Sequence, residues 1–227
     1  MQIQAVSTTQ LDWTGEALAL GLFEGITDVT GDLATLDEKL DGTIREAIAS
    51  EEFTGKTGSL LTTRLGTNSP IRKLILVGLG QAEDWKLDGL RSSAAAIARA
   101  AKQQKVKTLG ISLPLVQEAA TASAIAEGLL LALHLDNRFK SDSEETEVKL
   151  ETIELLGLGD QKAALDKAQA VCSGIILARE LVAAPANAVT PITLAETARE
   201  LAGDYSLDLE ILEQEDCEKL GMGAYLG

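Results

Sequence analysis

Carboxylates are the most abundant side chains in this sequence that could do chemistry. They are concentrated at Glu51-Glu52, at Glu144-Glu145 and at Glu213, Glu215 and Asp216. Paired carboxylates act as general acids and bases, or they hold divalent metal ions, when they converge in a buried site. A run of acids along a chain of net charge −15 is more typical of a solvated surface. The acidic clusters alone therefore predict no active site.

Histidine and cysteine are too scarce to build a site by themselves. His134 is the only histidine, and it lies between two leucines in a predicted helix. Cys172 and Cys217 are 45 residues apart, which is neither a disulfide framework nor a metal-knuckle spacing. Cys172 falls on the apolar face of a predicted helix, which is typical of an inert buried thiol. We expect two reduced thiols in a cytoplasmic protein.

Two Gly-Leu-Gly segments could bring the backbone close to a phosphate. Residues 78–80 follow an apolar run, but a dinucleotide fingerprint needs a third glycine where this chain has Glu83. It also needs an acid about 20 residues further on, and position 100 is alanine. Residues 157–159 precede Asp160, a candidate helix N-cap. Both segments are therefore interpreted as tight turns after strands.

Charge disfavours nucleic acid as a partner. Residues 141–227 hold 18 of the 35 acids but only 6 of the 20 bases. Residues 91–107 contain five bases and no acid, but no aromatic residue lies among them, which favours a solvated helix face over a nucleic-acid groove. The sequence has no apolar run of 18 residues and no basic, apolar leader, so we expect neither a membrane span nor a secretory signal.

The elements that must position any site alternate between strand and helix patterns. Residues 73–78 form an apolar run typical of a strand buried on both faces, and we expect it to be a central strand of the sheet. The alternation indicates an α/β fold with a mainly parallel sheet. Predicted strands cover 2–7, 17–23, 59–65, 73–78, 108–113, 148–156 and 207–212, and predicted helices cover 32–51, 88–105, 116–137, 161–183 and 193–202.

Residues 179–191 carry the most specific motif, Arg-Glu-Leu-Val-Ala-Ala-Pro-Ala-Asn-Ala-Val-Thr-Pro. This motif resembles the junction of the leucyl aminopeptidases, the cytosol aminopeptidase or M17 family, except that Ala183 stands where the family has asparagine. Residues 220–224, Leu-Gly-Met-Gly-Ala, are similar to the start of that family's catalytic domain. Residues 135–141 and 76–80 agree with segments of its N-terminal domain. The resemblance covers the whole chain in order.

The resemblance implies a domain organisation. It implies a macro-domain-like N-terminal α/β domain over residues 1–157, with a mainly parallel mixed sheet. A linker helix over 158–185 follows, and then the incomplete beginning of an α/β catalytic domain over 186–227. It also implies a cytoplasmic enzyme that assembles as a homo-hexamer and releases N-terminal residues, preferably leucine, from peptides.

In such enzymes two divalent metal ions, manganese or zinc, polarise the scissile carbonyl and activate a bridging water. The family's metal-binding lysine, its carboxylates and its Asn-Thr-Asp-Ala-Glu-Gly-Arg signature all lie downstream of the Leu-Gly-Met-Gly-Ala segment. We therefore expect no catalytic, cofactor-binding or metal-binding residue in this chain, and we expect the chain alone to be inactive. The alternative is an accessory module that binds an ADP-ribose-like ligand or nucleic acid without catalysis.

Overall fold

In the computed structural model, the described residues are 1–25, 28–50, 53–67, 69–139 and 149–226. The predicted connector over 140–147, the acidic pairs Glu51-Glu52 and Glu144-Glu145, and the first residue of the strand expected at 148–156 lie outside them. The strands are β1 (Gln2–Val6), β2 (Gly15–Leu22), β3 (Leu60–Arg64), β4 (Ile71–Gly78), β5 (Thr108–Ser112) and β6 (Thr152–Leu156). The helices are α1 (Gly31–Lys39), α2 (Thr43–Ser50), α3 (Leu87–Gln103), α4 (Glu118–Leu133), α5 (Lys162–Ala183), α6 (Pro191–Tyr205), α7 (Gln214–Lys219) and α8 (Gly223–Leu226), with a 3-10 turn at Ala82–Asp84.

The strands form one mixed sheet in the order β1-β6-β5-β2-β4-β3. Every neighbouring pair is parallel except β3 and β4, which are antiparallel. The predicted α/β fold with a mainly parallel sheet is therefore confirmed. The apolar run at β4 is buried as expected, but β4 lies one strand from the edge, and β5 and β2 occupy the middle. A strand that lies next to an edge strand can still be buried on both faces, so hydropathy does not show whether a strand lies in the middle of the sheet or one strand from its edge.

Two hydrophobic clusters cover the two faces of the sheet. On one face, α3 and α4 bury Ile97 and Ile125 against Ile75 and Leu109. On the other face, α1 and α2 pack against β2 and β4, where Ile44 is fully buried. Side chains alternate along each strand, so neighbouring residues of β2 and β4 supply both clusters. The result is a helix–sheet–helix arrangement.

The helical pattern predicted over 32–51 is two helices, not one. The chain turns between them, where Asp41 and Gly42 have positive φ values of 55° and 78°. The buried Asp37 of α1 reaches across this turn. Its Oδ1 accepts hydrogen bonds from the backbone N–H groups of Ile44 and Arg45, at 2.8 and 3.1 Å. A carboxylate at a helix N-terminus satisfies donors that have no partner within the helix, so α1 caps α2.

Two other expectations at element ends are wrong. The sequence offers Asp88 as the N-cap of the helix predicted over 88–105, but the N-cap of α3 is Lys86, and Asp88 lies in the first turn, where its carboxylate pairs with Arg91 at 2.8 Å. Residues 207–212 are not a strand in this structure. A strand forms only when its backbone pairs with a neighbouring strand, and an alternation of leucines and acids within the segment does not provide that neighbour.

The chain divides into two compact units, Met1–Leu177 and Ala178–Gly227. The first contains the sheet, α1 to α4 and α5 as far as Leu177. In the second, none of the residues described from 178 to 226 is buried. Its α6 begins with Pro191 after the N-cap Thr190, whose hydroxyl accepts the N–H of Thr193 at 3.3 Å. The boundaries expected at 157 and 185 remain a prediction.

Candidate functional site

The carboxyl edge of the parallel strands is where an open α/β sheet binds ligands. Here β2, β4 and β5 end side by side at Leu22, Gly78 and Ser112. The connections after β2 and β4 lead to opposite faces of the sheet, because α1 and α2 lie on one face and α3 on the other. A crevice at such a topological switch point is the expected ligand site. The Gly78–Gly80 segment borders it.

The glycines of that segment are in contact with another part of the same chain. Residues 53–59, which we call the strap, lie directly against them. A Cβ built on Gly78 would lie 2.0 Å from the backbone oxygen of Lys56, and one on Gly80 would lie 2.1 Å from Oγ1 of Thr57. Gly80 also has a φ of +76°, a conformation that side-chain-bearing residues rarely adopt. These glycines therefore permit close packing of the strap.

The backbone donors of the segment are already in use. The N–H of Gly78 donates to the oxygen of Ser59 at 2.8 Å, and that of Gly80 donates to the oxygen of Gly55 at 2.9 Å. The N–H of Leu79 donates to the oxygen of Leu22 at 2.9 Å. A phosphate cradle needs several N–H groups that point at the ligand. None of the three N–H groups of this loop is available to a ligand, because the protein's own carbonyl oxygens accept all of them.

Apolar side chains fill the other side of the crevice, next to β5. Trp85 and Phe23 pack edge to face with ring centroids 5.7 Å apart, and the indole Nε1 of Trp85 donates to the oxygen of Pro114 at 3.2 Å. Leu79 and Leu113 pack against Gly21 of β2, where a Cβ would lie within 2.8 Å of either side chain. The crevice is thus occupied on both sides by the chain itself.

The second glycine segment is equally closed. The N–H groups of Gly157, Leu158 and Gly159 donate to the backbone oxygens of Thr8 and Val6 at 3.0 to 3.2 Å. Downstream, Oδ1 of Asp160 accepts the N–H of Lys162 at 2.9 Å, as expected for a carboxylate at the start of α5. Both Gly-Leu-Gly segments are structural turns, as the sequence predicted.

The basic stretch over residues 91–107 is partly neutralised within the protein. Arg91 pairs with Glu127 at 2.6 Å as well as with Asp88, and the hydrogen bond that it donates to Glu127 raises the pKa of its guanidinium above the usual value. Lys107 pairs with Glu151 at 3.0 Å, and this hydrogen bond raises the pKa of the lysine. Bases engaged with the protein's own acids are less available to a phosphate backbone.

Among the residues that the structure describes, the other side chains that could do chemistry do not converge. Cys172 is fully buried, and its Sγ lies 3.9 Å from the backbone oxygen of Glu127. Glu213 and Asp216 form a capping box at the start of α7, which gives those acids a local role. In the part of the chain that the structure describes, no group of three or more His, Cys, Asp or Glu side chains could hold a metal ion. Nor is any described helix long and apolar enough to cross a membrane.

The fold and the carboxyl edge of the sheet together define the class of protein. It is an α/β domain in which the chain itself closes the crevice where such sheets usually bind ligands, followed by a segment in which no described residue is buried. Comparison with known proteins also divides the chain into two successive parts. The sequence model of the cytosol aminopeptidase family, N-terminal domain, matches residues 19–143, and that of the same family's catalytic domain matches residues 176–227. The chain belongs to the cytosol aminopeptidase family.

Relatives with assigned names agree with this membership. A probable cytosol aminopeptidase of Gloeothece citriformis is 62% identical over the whole chain, and the one of Synechocystis sp. is 58% identical. The match covers 47% and 46% of those proteins, so the chain spans about half the length of the curated relatives it matches.

Solved structures show the same fold. A mutant of tomato leucine aminopeptidase superposes with a TM-score of 0.89 at 35% identity, over all of this chain and 47% of its own. The bottromycin maturation enzyme BotP in complex with Mn superposes with a TM-score of 0.68 at 24% identity, over 92% of this chain and 40% of its own. At that identity the second likeness concerns the fold alone.

Proposed function

We propose that this chain is the N-terminal part of a cytoplasmic leucyl-type metallo-aminopeptidase. The parent enzyme releases N-terminal amino acids from peptides. The observation that carries the proposal is the pair of family matches, because the catalytic-domain match begins at residue 176 and extends to the last residue of the sequence. The relatives that share this arrangement are about twice as long.

In the parent enzyme, two divalent metal ions, manganese or zinc, would supply an activated water and polarise the scissile carbonyl. Such a centre needs several convergent carboxylates in a fixed geometry. The described residues do not fit this requirement, since no three candidate ligands lie together among them. We assign no step of the hydrolysis to a residue of this chain.

The part that this chain plays is assembly and support of the catalytic domain. The closed carboxyl edge supports this role over ligand binding, because all three N–H groups of Gly78–Gly80 are taken by the protein's own carbonyls. The same observation counts against an ADP-ribose-like ligand, and the ion pairs of Arg91 in α3 and of Lys107, which follows that helix, count against nucleic acid. A macro-domain-like fold for the N-terminal domain and a homo-hexameric parent enzyme complete the proposal.

Hydrolysis of a leucyl chromogenic substrate tests the proposal. The purified 227-residue chain is expected to show no turnover above a mock purification, with or without added Mn²⁺ or Zn²⁺. A chimaera that joins this chain to the downstream half of the Gloeothece citriformis relative is expected to turn the substrate over when either metal is present. Metal-dependent turnover by the chain alone, or an inactive but folded chimaera, would contradict the proposal.

A further inference from the structure

One edge of the sheet is open. β1 is the last strand in the sheet order, so the described part of the chain pairs it with β6 alone. The N–H of Gln2 donates to the oxygen of Glu151 at 2.8 Å, which shows that the backbone of Gln2 faces β6. Alternate residues of a parallel strand bond to the same side. The N–H and C=O groups of Ile3 and Ala5 therefore point outward, away from the sheet.

This edge has none of the features that usually protect an edge strand from pairing. Such strands carry a charge, a proline or a bulge. Residues 1–11 contain no charged side chain and no proline, although the chain has 35 acids. β1 also pairs with β6 in an unbroken register, without a bulge. The strand at the other edge, β3, ends at Arg64. Of the two edges, β1 is therefore the one that is open to another strand.

The outward groups of β1 are spaced to pair with a second copy of β1 that runs antiparallel. Ile3 and Ala5 lie on either side of Gln4 in the sequence. A two-fold axis at Gln4 therefore places Ile3 of each copy opposite Ala5 of the other. In an antiparallel ladder, two residues opposed in this way exchange both N–H···O bonds. All the outward groups of Ile3 and Ala5 are then paired.

The side chains on both faces of β1 fit the same pairing. Gln4 lies on the polar face, where its Nε2 donates to Oε1 of Glu154 at 2.6 Å. Ile3 and Ala5 lie on the other face, half-buried against the hydrophobic cluster of α3 and α4. A two-fold axis perpendicular to the sheet keeps each face continuous with the same face of the other copy, so the apolar side chains meet. No like charges are opposed, because the strand has none.

We infer that β1 is a self-association edge, at which two copies of this chain pair antiparallel about a two-fold axis at Gln4 and join their sheets into one. The inference is independent of the proposed function, since it uses the first unit alone. Two five-residue strands form a small interface, so the dissociation constant is expected to be on the order of 100 µM. Salt is expected to strengthen the dimer, because it screens the net charge of −15 on each copy.

Cross-linking of cysteine variants tests the register. The two-fold axis brings the Cα atoms of the two Gln4 residues to about 4.5 Å, within the range of a disulfide. The background is Cys217→Ser, and Cys172 is kept because it is buried. Under mild oxidation, Gln4→Cys is expected to form an intermolecular disulfide at least about tenfold faster than Gln2→Cys. Gln2→Cys is the matched control, because it lies on the same face but opposite Val6 of the other copy. Equal rates, or no disulfide in Gln4→Cys, would overturn the inference.

Sedimentation equilibrium of the 227-residue chain measures the association itself. The mass is expected to rise towards that of a dimer with concentration, and to do so more readily at high salt than at low salt. Ala5→Pro removes an outward N–H, at an edge position where proline is tolerated, and is expected to weaken the dimer at least about tenfold. Ala5→Gly keeps the N–H and is the control.

Two results of this measurement would overturn the inference. One is a monomer at every concentration up to about 1 mM, at which even a weak interface of this kind would be populated. The other is equal association of Ala5→Pro and Ala5→Gly. Circular dichroism checks that the proline variant is folded, and Ile3→Pro, which removes the other outward N–H, replaces it if it is not. If neither proline variant folds, the disulfide rates at Gln4 and Gln2 decide.

Discussion

Replacement of Gly78 by alanine is the sharpest test of how the carboxyl edge is closed. The new Cβ would lie 2.0 Å from the oxygen of Lys56 and 2.2 Å from Oγ of Ser59, distances that real Cβ atoms do not show. Because the nearest atom belongs to the backbone, rotation of a side chain cannot relieve the clash. The strap must move away from the end of β4.

The magnitude follows from the hydrogen bonds that join the strap to the end of β4. Three backbone hydrogen bonds connect them: Gly78 to Ser59 at 2.8 Å, Gly58 to Gly78 at 3.0 Å and Gly80 to Gly55 at 2.9 Å. At about 1 kcal/mol each, their loss would lower the free energy of unfolding by about 3 kcal/mol. The donors that are freed regain water, so the desolvation cost adds little to this figure.

Urea unfolding of Gly78→Ala, monitored by tryptophan fluorescence, measures the decrease in the free energy of unfolding against a matched control. Gly66→Ala is the control, since a Cβ there meets no atom within 4 Å and the residue does not have a positive φ. Its free energy of unfolding is expected to stay within about 0.5 kcal/mol of the parent chain. If Gly78→Ala were as stable as Gly66→Ala, the strap would not close the crevice as described, and the argument against a phosphate site would fail.

Three further predictions concern the first unit. Leu76→Asp is expected to unfold it, because Leu76 is fully buried in β4 and an unpaired buried charge costs several kcal/mol; a natively folded variant by circular dichroism would refute its buried placement. Asp37→Ala is expected to lower the free energy of unfolding by about 2 kcal/mol, because the N-terminus of α2 loses its cap. The side chain of Arg45 is mostly exposed, so Arg45→Ala is expected to change the free energy of unfolding by less than about 0.5 kcal/mol. Equal effects of the two variants in urea titrations would show that Asp37 does not stabilise α2 as a cap. The hydrogen bond from Arg138 lowers the pKa of Asp136 to about 2. The pair therefore stabilises the folded chain at pH values above the ordinary aspartate pKa, and this contribution is lost as the pH falls towards 2. In an NMR titration, Arg138→Ala should raise the pKa of Asp136 towards the ordinary value, and an unchanged pKa would show that Arg138 is not the cause.

Local patterns in the sequence were sufficient for much of the fold. The apolar run at β4 and the Ala-rich pattern of α3 predicted their elements, because burial on a sheet face or a helix face leaves a regular spacing of apolar residues. The motif at residues 179–191 indicated the family, which the family models and the relatives confirm. Each of these signals lies within one short stretch of chain.

Contacts between distant parts of the chain determined the rest. The sequence indicated that Gly78 and Gly80 form a turn, but only the tertiary structure shows that Ser59 and Gly55 accept their N–H groups. Likewise, the spacing over 32–51 could not show that Asp37 caps a second helix after a turn of positive φ. Residues 207–212 have the composition of a strand but are not one here, because a strand forms only when another strand offers hydrogen bonds, and sequence pattern alone does not reveal whether that neighbour is present.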